Sequence, residues 1–378
     1  MRRLTAAWRG RVRAALTGPD RDRGAAAAVV AIVAGMGLLL GMATVVVDVG
    51  RLYAEREQLV GGADAAARAV AESCATDGGA CLDRAESAAA YAAANAADGA
   101  ADAPVVCGRT TGLPACPADA ANRAACLGEP PPSPRPYVEV RTATRMADGT
   151  TLLPGTFAAA LSGGAYEGST VGACARATWG APRRARGLAV TFSLCEWNLM
   201  TGGGATLWMT PDAGLPPVGA ERAVRLHDSQ GNASCPAGPS GWDRPGGFGW
   251  LADPDKTCEA EVQADGTYQG DTGNSVSKPC KDVLPQVRAD RAVSAIPIYD
   301  TVRGNGSHIT YHLAGFAGFV ITGYRLSGMA QASWLSNTHL CSGQERCLYG
   351  YLVRDLRAGA DTEIGGPDLG LAVIDLIG

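Results

Sequence analysis

Charge is missing from one long stretch of this 378-residue chain, and that gap organises the rest. Gly24–Val47 (GAAAAVVAIVAGMGLLLGMATVVV) contains no Asp, Glu, Lys or Arg. Histidine is scarce, limited to His227, His308, His312 and His339, and lysine is limited to Lys256, Lys278 and Lys281. No cysteine precedes Cys74, and no C-x2-C pair occurs, which removes the usual framework of a structural zinc site. No phosphate-binding loop, HExxH, GxSxG or Rossmann fingerprint is present. Asp271-Thr272-Gly273 copies an aspartic-protease triplet, but that chemistry needs two carboxylates sharing a proton, and there is no second copy. The triplet sits among turn formers and reads as a turn. His227-Asp228-Ser229 are adjacent, whereas catalytic triads are assembled from separated positions. His308 and His312 on a strand would stand about 13 Å apart, too far to share one ion. A net charge of −4 offers no basic surface for nucleic acid. The chain therefore reads as non-enzymatic, with no cofactor, no metal, no nucleic acid and no small-molecule substrate.

What is present begins with the uncharged run itself. As a helix it reaches about 36 Å, enough to cross a bilayer core of roughly 30 Å with some tilt. A soluble core helix is rarely this long and uniformly apolar. A cleaved signal peptide has a shorter apolar region of about 7–15 residues and ends at a small-residue cleavage site. Here the run continues into DVGRLYAEREQLV, where Val49, Leu52, Tyr53, Leu59, Val60 and Ala63 recur at helical spacing. The expectation is a retained single-span anchor in the cell membrane. Arg2, Arg3, Arg9, Arg11, Arg13, Arg21 and Arg23 crowd its N-terminal side against only Asp20 and Asp22. Basic residues stay cytoplasmic, so residues 1–23 are expected inside and 48–378 outside. Within the span, Gly37-Leu-Leu-Leu-Gly41 is a small-xxx-small pattern, the kind that lets two membrane helices approach closely.

The residues from Arg23 onward carry a resemblance. Arg23-Gly24 opens the run, Asp48-Val49-Gly50-Arg51 follows it, and Ala63-Asp64-Ala65-Ala66-Ala67 comes after a polar helical stretch. This order resembles the N-terminal segment of TadE/TadG-like proteins of Flp-pilus (tight adherence) assembly. The Arg, Ala and Gly bias fits a GC-rich genome, and the resemblance is to the actinobacterial type. There are two departures. Gly61-Gly62 replace the usual polar pair, which is expected to loosen the helix there. Val29 stands where prepilin-type processing wants a Glu, so the N-terminal tail is expected to persist. The resemblance implies partners among other Tad/Flp assembly proteins or a second copy of the chain.

All 12 cysteines lie at or beyond Cys74. An even count confined to the expected outer side implies disulfides made in an oxidising compartment. Turn-containing short spacings favour Cys74–Cys81 and Cys341–Cys347. The other eight allow 105 connectivities, and spacing does not choose among them.

The expected organisation is α+β: a basic tail (1–23), a transmembrane helix (24–47), a helical stalk and hairpin (48–100), a Cys/Pro-rich spacer (101–136) and a β-rich extracytoplasmic domain (137–378). A second hairpin helix is expected near 82–97, a short helix at 157–161, and strands at 137–146, 170–179, 188–194, 205–209, 223–227, 295–299, 309–314 and 318–326, with a last strand near 369–377. The strand–helix–strand order around 137–179 also resembles TadG-like proteins. The functional expectation is a minor subunit or assembly factor of a Flp-type pilus or Tad secretion apparatus in the bacterial envelope. A surface binding module or adhesin with its own ligand is the alternative.

Overall fold

The computed structural model describes residues 21–76, 80–117, 128–209, 214–226, 235, 247–271, 276–304, 308–359 and 362–377. His227, Trp242, Cys126, Thr272-Gly273 and most of the basic tail lie outside them.

The chain opens with helix α1 (Arg21–Ala43), a π-helical turn (Thr44–Asp48) and helix α2 (Val49–Thr76), which run on without a break. Apart from Thr44, no side chain in Gly24–Val47 competes for the backbone hydrogen bonds. Beyond it α2 is amphipathic, burying Leu59, Gly62, Ala63, Ala66, Ala67, Val70, Ala71 and Cys74 on one face. The apolar span is one candidate membrane helix and its side chains are exposed; none of it is buried inside the protein. Instead of one helix over 82–97 there are two, α3 (Ala80–Glu86) and α4 (Ala88–Ala94).

The first strands are β1 (Ala101–Arg109) and β2 (Tyr137–Thr144). β1 falls in the segment expected to be a spacer. It pairs antiparallel with β2, with a register shift between Asp102 and Val105 that accommodates Pro104. Helix α5 (Phe157–Leu161) and strand β3 (Gly172–Gly180) follow. Next come β4 (Pro182–Leu188), β5 (Val190–Ser193), α6 (Leu194–Thr201), β6 (Trp208–Met209), β7 (Arg222–Arg225), β8 (Phe248–Trp250), β9 (Glu259–Gln263) and β10 (Thr267–Gln269). The expected strand over 188–194 thus splits, and its end starts a helix. The last elements are α7 (Lys278–Ala289), β11 (Val293–Arg303), β12 (Thr310–Leu326), β13 (Met329–Gln331), β14 (Cys347–Ala358), β15 (Glu363–Ile364) and β16 (Leu371–Leu376). The two strands expected over 309–326 are one strand of 17 residues.

The main sheet runs β1-β2-β3-β16-β14-β12-β11-β5-β8, with β10 and β13 also on β12, and β6 and β7 also on β14. A small sheet, β15-β4-β9, stands beside it. β16 is antiparallel to β3 and parallel to β14, so the last strand joins the first three strands to the remainder. The fold is α+β: a long N-terminal helix, then a β-rich region.

Three side-chain layers matter for the site. Ala63, Ala66, Ala67, Val70 and Ala71 of α2 pack on Val138 and Val140 of β2, Ala175, Ala177 and Trp179 of β3, and Ile374 of β16. Small residues on both surfaces let helix and sheet approach closely. A second core holds Phe192, Phe248, Phe319, Trp197 and Trp250. In a third, the rings of Tyr299 and Tyr311 meet at a tilt with centroids 5.1 Å apart.

Bridges tie loops to this frame. Cys74 and Cys81 are joined at 2.00 Å, and Cys341 to Cys347 at 1.89 Å. Cys107–Cys116, Cys195–Cys235 and Cys258–Cys280 are also bonded, and Cys174 is disulfide-bonded as well.

Candidate functional site at the membrane exit

Where the uncharged run ends, the motif Asp48-Val49-Gly50-Arg51 grips a distant segment. Asp48 Oδ1 accepts a hydrogen bond from the Thr156 N–H at 2.9 Å, and Oδ2 accepts from Phe157 at 2.9 Å and Ala158 at 2.6 Å. These are the orphan donors that open α5. Thr156, at the N-cap position, makes no side-chain cap bond of its own. A carboxylate 108 residues earlier does the capping, and its charge complements the helix N-terminus. Asp48 is 8% exposed. The Ala158 N–H above all, joined by those of Thr156 and Phe157 and by Arg51, holds its carboxyl below the usual value, against the opposing effect of burial.

Arg51 completes the grip. Its Nη1 donates to Thr156 Oγ1 at 2.9 Å and to the Pro154 carbonyl at 3.4 Å. Gly50 stands between them with open space where a Cβ would be, and the same holds for Gly24, Gly37 and Gly41. Among the described residues, no packing demands glycine at these four places. Arg23 and Gly24 both lie within α1.

The second part of the site is the alanine motif. Ala63, Ala66 and Ala67 are fully buried against the sheet. Asp64 is half-buried, and burial pushes its carboxyl up. The Gly61-Gly62 pair does not loosen the helix as expected. A Cβ on Gly62 would meet the Ala92 Cα at 3.0 Å and the Ala92 carbonyl oxygen at 3.1 Å, so α4 crosses α2 where Gly62 leaves room. Gly61 has only Asn95 Oδ1, at 4.0 Å. The crossing is tied down by the Ala97 N–H, which donates to Gln58 Oε1 at 2.7 Å. Further along, Thr142 of β2 donates to the Leu59 carbonyl at 2.9 Å, and the Cys74–Cys81 bridge closes the far end.

A buried ion cluster holds the sheet beside α2. Glu139 accepts from Arg141 Nε at 2.5 Å and from Arg176 Nη2 at 2.9 Å, all three side chains being nearly inaccessible. Arg176 Nη1 also binds the carbonyls of Gly128 and Glu129 at 3.1 and 3.0 Å. Cys107, Cys116 and Glu139 are grouped closely enough to suggest a metal set, but the two sulfurs are bonded to each other at 2.14 Å, so neither is a free thiolate.

Elsewhere among the described residues, two clefts with polar side chains stand out. One of about 780 Å³ is lined by Arg184, Arg186, Arg357 and Glu261. Its arginines are matched by carboxylates: Arg184 by Glu261, Arg186 by Glu259 and Glu261 at 3.7 Å, and Arg357 by Asp355 at 2.8 Å. The other, about 410 Å³, contains His312, Asp300 and three threonines. His312 Nδ1 lies 2.8 Å from Asp300 Oδ1. His308 precedes β12 rather than lying in it, so the strand spacing expected for the two histidines does not apply.

The motif residues Asp48, Arg51, Ala63 and Asp64 were visible in the sequence, and Gly62 was read only as a weak point of its own helix, whereas the parts played by Thr156, Phe157, Ala158 and the Glu139 cluster were not visible. A short helix at 157–161 was legible, but no local signal ties its N-terminus to Asp48.

The family model for Flp pilus-assembly TadE/G-like proteins matches residues 24–73. No curated protein and no solved structure matches. The matched segment covers α1 from Gly24, the π turn and nearly all of α2. It begins at the apolar span and ends at the residue before Cys74.

Proposed function

We propose that the protein is a non-enzymatic, single-pass envelope component of Flp-pilus or Tad-apparatus assembly, acting as a TadG-like minor subunit or assembly factor. The observation that carries this reading is the course of the matched segment. The helix that forms the candidate membrane span is also the helix on which β2, β3 and β16 pack. No flexible linker intervenes between 24 and 76. A displacement or capture of the span by a membrane partner is therefore transmitted to the outer domain as a rigid-body movement.

In this reading residues 1–23 face the cytoplasm and the β-rich region faces outward. The seven N-terminal arginines support that orientation, and so does the confinement of cysteine to positions from Cys74 onward. The partners are the lipid bilayer and other assembly proteins or a second copy of the chain.

The test is crosslinking of the full-length chain in intact membranes, followed by denaturing purification and identification of the attached proteins. Recovery of pilus-assembly components at levels well above those seen with a span-swapped variant is the expected outcome. If such components are missing while the protein crosslinks to an extracellular ligand through its β-rich region, the assembly role is wrong and the binding-module alternative holds.

A further inference from the structure

We propose that the loop carrying α5, residues 152–161, is a second membrane contact: an apolar foot seated in the lipid interface beside the span. The proposal rests on the reading that α1 crosses a bilayer.

The first observation is position. Thr142, near the end of β2, meets the Leu59 carbonyl, whereas the β2–β3 connection that follows reaches down to Asp48. Eleven residues of helix separate those two levels, about 16 Å along the axis. The loop thus hangs from the sheet toward the membrane. It goes further than Asp48, because α5 packs on the Thr44–Asp48 turn and on α1 itself. Exposure along the span agrees: Leu40 is 37% and Val47 38% exposed, against 67% for Leu38 and Leu39 and 71% for Val46. Leu40 lies just before the Thr44–Asp48 turn and Val47 within it, so the span is partly covered at the level where the uncharged run ends.

The second observation is composition. From Gly149 to Tyr166 (GTTLLPGTFAAALSGGAY) there is no charged residue. Leu152 is 38% and Leu161 49% exposed. On the helix nearby, Val49 is 39% and Tyr53 64% exposed. Tyrosine with an apolar body and a polar tip suits the membrane–water interface.

The third observation is the hydrogen bonding. Irregular backbone at membrane depth is costly unless its polar groups are satisfied. α5 has five residues, too few to satisfy its own first donors, and Asp48 accepts three of them. A carboxylate at the bilayer exit is thereby explained. It closes the backbone of the foot in a place where water is scarce.

The occupant follows from continuity. On the reading that α1 crosses a bilayer, lipid covers the exposed side chains of the span, and the uncharged loop packed against α1 and the Thr44–Asp48 turn continues that apolar stretch.

The experiment uses the full-length, unreduced chain in phosphatidylcholine nanodiscs. No free cysteine is present among the described residues, so one introduced thiol can carry a nitroxide. Leu161→Cys and Leu152→Cys probe the foot at two independent positions. Leu39→Cys probes the span. Leu82→Cys is the comparison, as exposed as Leu161 at 49% but beside the Cys74–Cys81 bridge, about 39 Å of helix beyond Asp48. Accessibility to oxygen, which concentrates in lipid, is compared with that to a water-soluble nickel chelate. The oxygen-to-nickel ratio at residues 161 and 152 is expected to exceed that at 82 several-fold and to approach that at 39. A ratio at 161 and 152 equal to that at 82, with 39 still lipid-like, overturns the foot and leaves the span intact. Labels at 161 and 152 shielded from both reagents also overturn it, in favour of a protein partner. A water-like ratio at 39 overturns the membrane reading and the foot together.

Discussion

Two adjacent glycines in α2 give the sharpest quantitative prediction. Gly61→Ala and Gly62→Ala make the same chemical change in the same helix, and each gains about 1 kcal/mol of helix propensity. They differ in what the new methyl meets. At Gly61 there is only the Asn95 side-chain oxygen Oδ1 at 4.0 Å, ordinary contact, so the gain is kept. At Gly62 the methyl lies 3.0 and 3.1 Å from the Ala92 Cα and carbonyl oxygen. These are backbone atoms and cannot rotate away. α4 must move by a few tenths of an ångström, against the Ala97–Gln58 bond and the packing of Ala92. Overpacking of this kind costs about 1–3 kcal/mol. Gly62→Ala should therefore be less stable than Gly61→Ala by about 1–3 kcal/mol. At roughly 2–4 °C per kcal/mol for a domain of this size, the two melting temperatures should differ by about 2–12 °C. Thermal unfolding of the full-length chain in detergent, followed by circular dichroism, reads this directly. Equal melting temperatures, or a more stable Gly62→Ala, would refute the crossing of α4 over α2.

Other outcomes follow from the same structure. Glu139→Ala leaves Arg141 and Arg176 buried beside each other without their shared carboxylate, and chemical denaturation should show a loss of about 3–5 kcal/mol; a loss below about 1 kcal/mol would place the cluster in water. Because the Asp48 carboxyl titrates below its ordinary value of 3.8, its contribution is fully present above that pH and is lost as the pH falls through the lower, folded-state value. Amide exchange at Thr156, Phe157 and Ala158 should show extra acid sensitivity in this range, and Asp48→Asn should abolish it; unchanged sensitivity in the variant would assign the effect elsewhere. In a membrane-dimerisation reporter, Gly37→Ile and Gly41→Ile should lower association relative to wild type while the control Leu39→Ile does not, and identical signals from all four would remove these glycines from any helix contact.

Much of the anchor was legible because its physics is local. Twenty-four residues without charge specify a helix in lipid whatever surrounds them, and the apolar stripe beyond Val49 specifies a buried face. The lock between Asp48 and α5 was not legible, since its two halves are 108 residues apart and neither needs the other to form its own secondary structure. The Gly61-Gly62 reading failed for a related reason: propensity counts what a residue does to its own helix, and Gly62 answers to a different one. β1 was hidden by Pro104 and by the cysteines around it, which look like loop chemistry until β2 supplies a partner. β14 went unread because Leu348–Val353 are buried on both faces, leaving no alternation to find. Two helices did carry signals. Ser193-Leu-Cys-Glu196 has the spacing of a capping box, and the Ser193 hydroxyl accepts from the Glu196 N–H at 3.0 Å. Ser277-Lys-Pro279 opens α7 with a capping serine and an early proline, but Pro285 within the same helix obscures it.

The central claim is that the candidate membrane span and the helix packed on the β-rich region are one uninterrupted helix. Nitroxides placed through Leu39→Cys in the span and Glu72→Cys on the exposed side of α2 are separated by 33 residues, about 50 Å of continuous helix. Pulsed dipolar spectroscopy on the full-length chain in nanodiscs measures that separation. The account predicts a single narrow distribution centred near about 50 Å. A broad distribution, or one centred well below that value, would reveal a hinge at the Thr44–Asp48 turn or at Gly61-Gly62 and would contradict the claim.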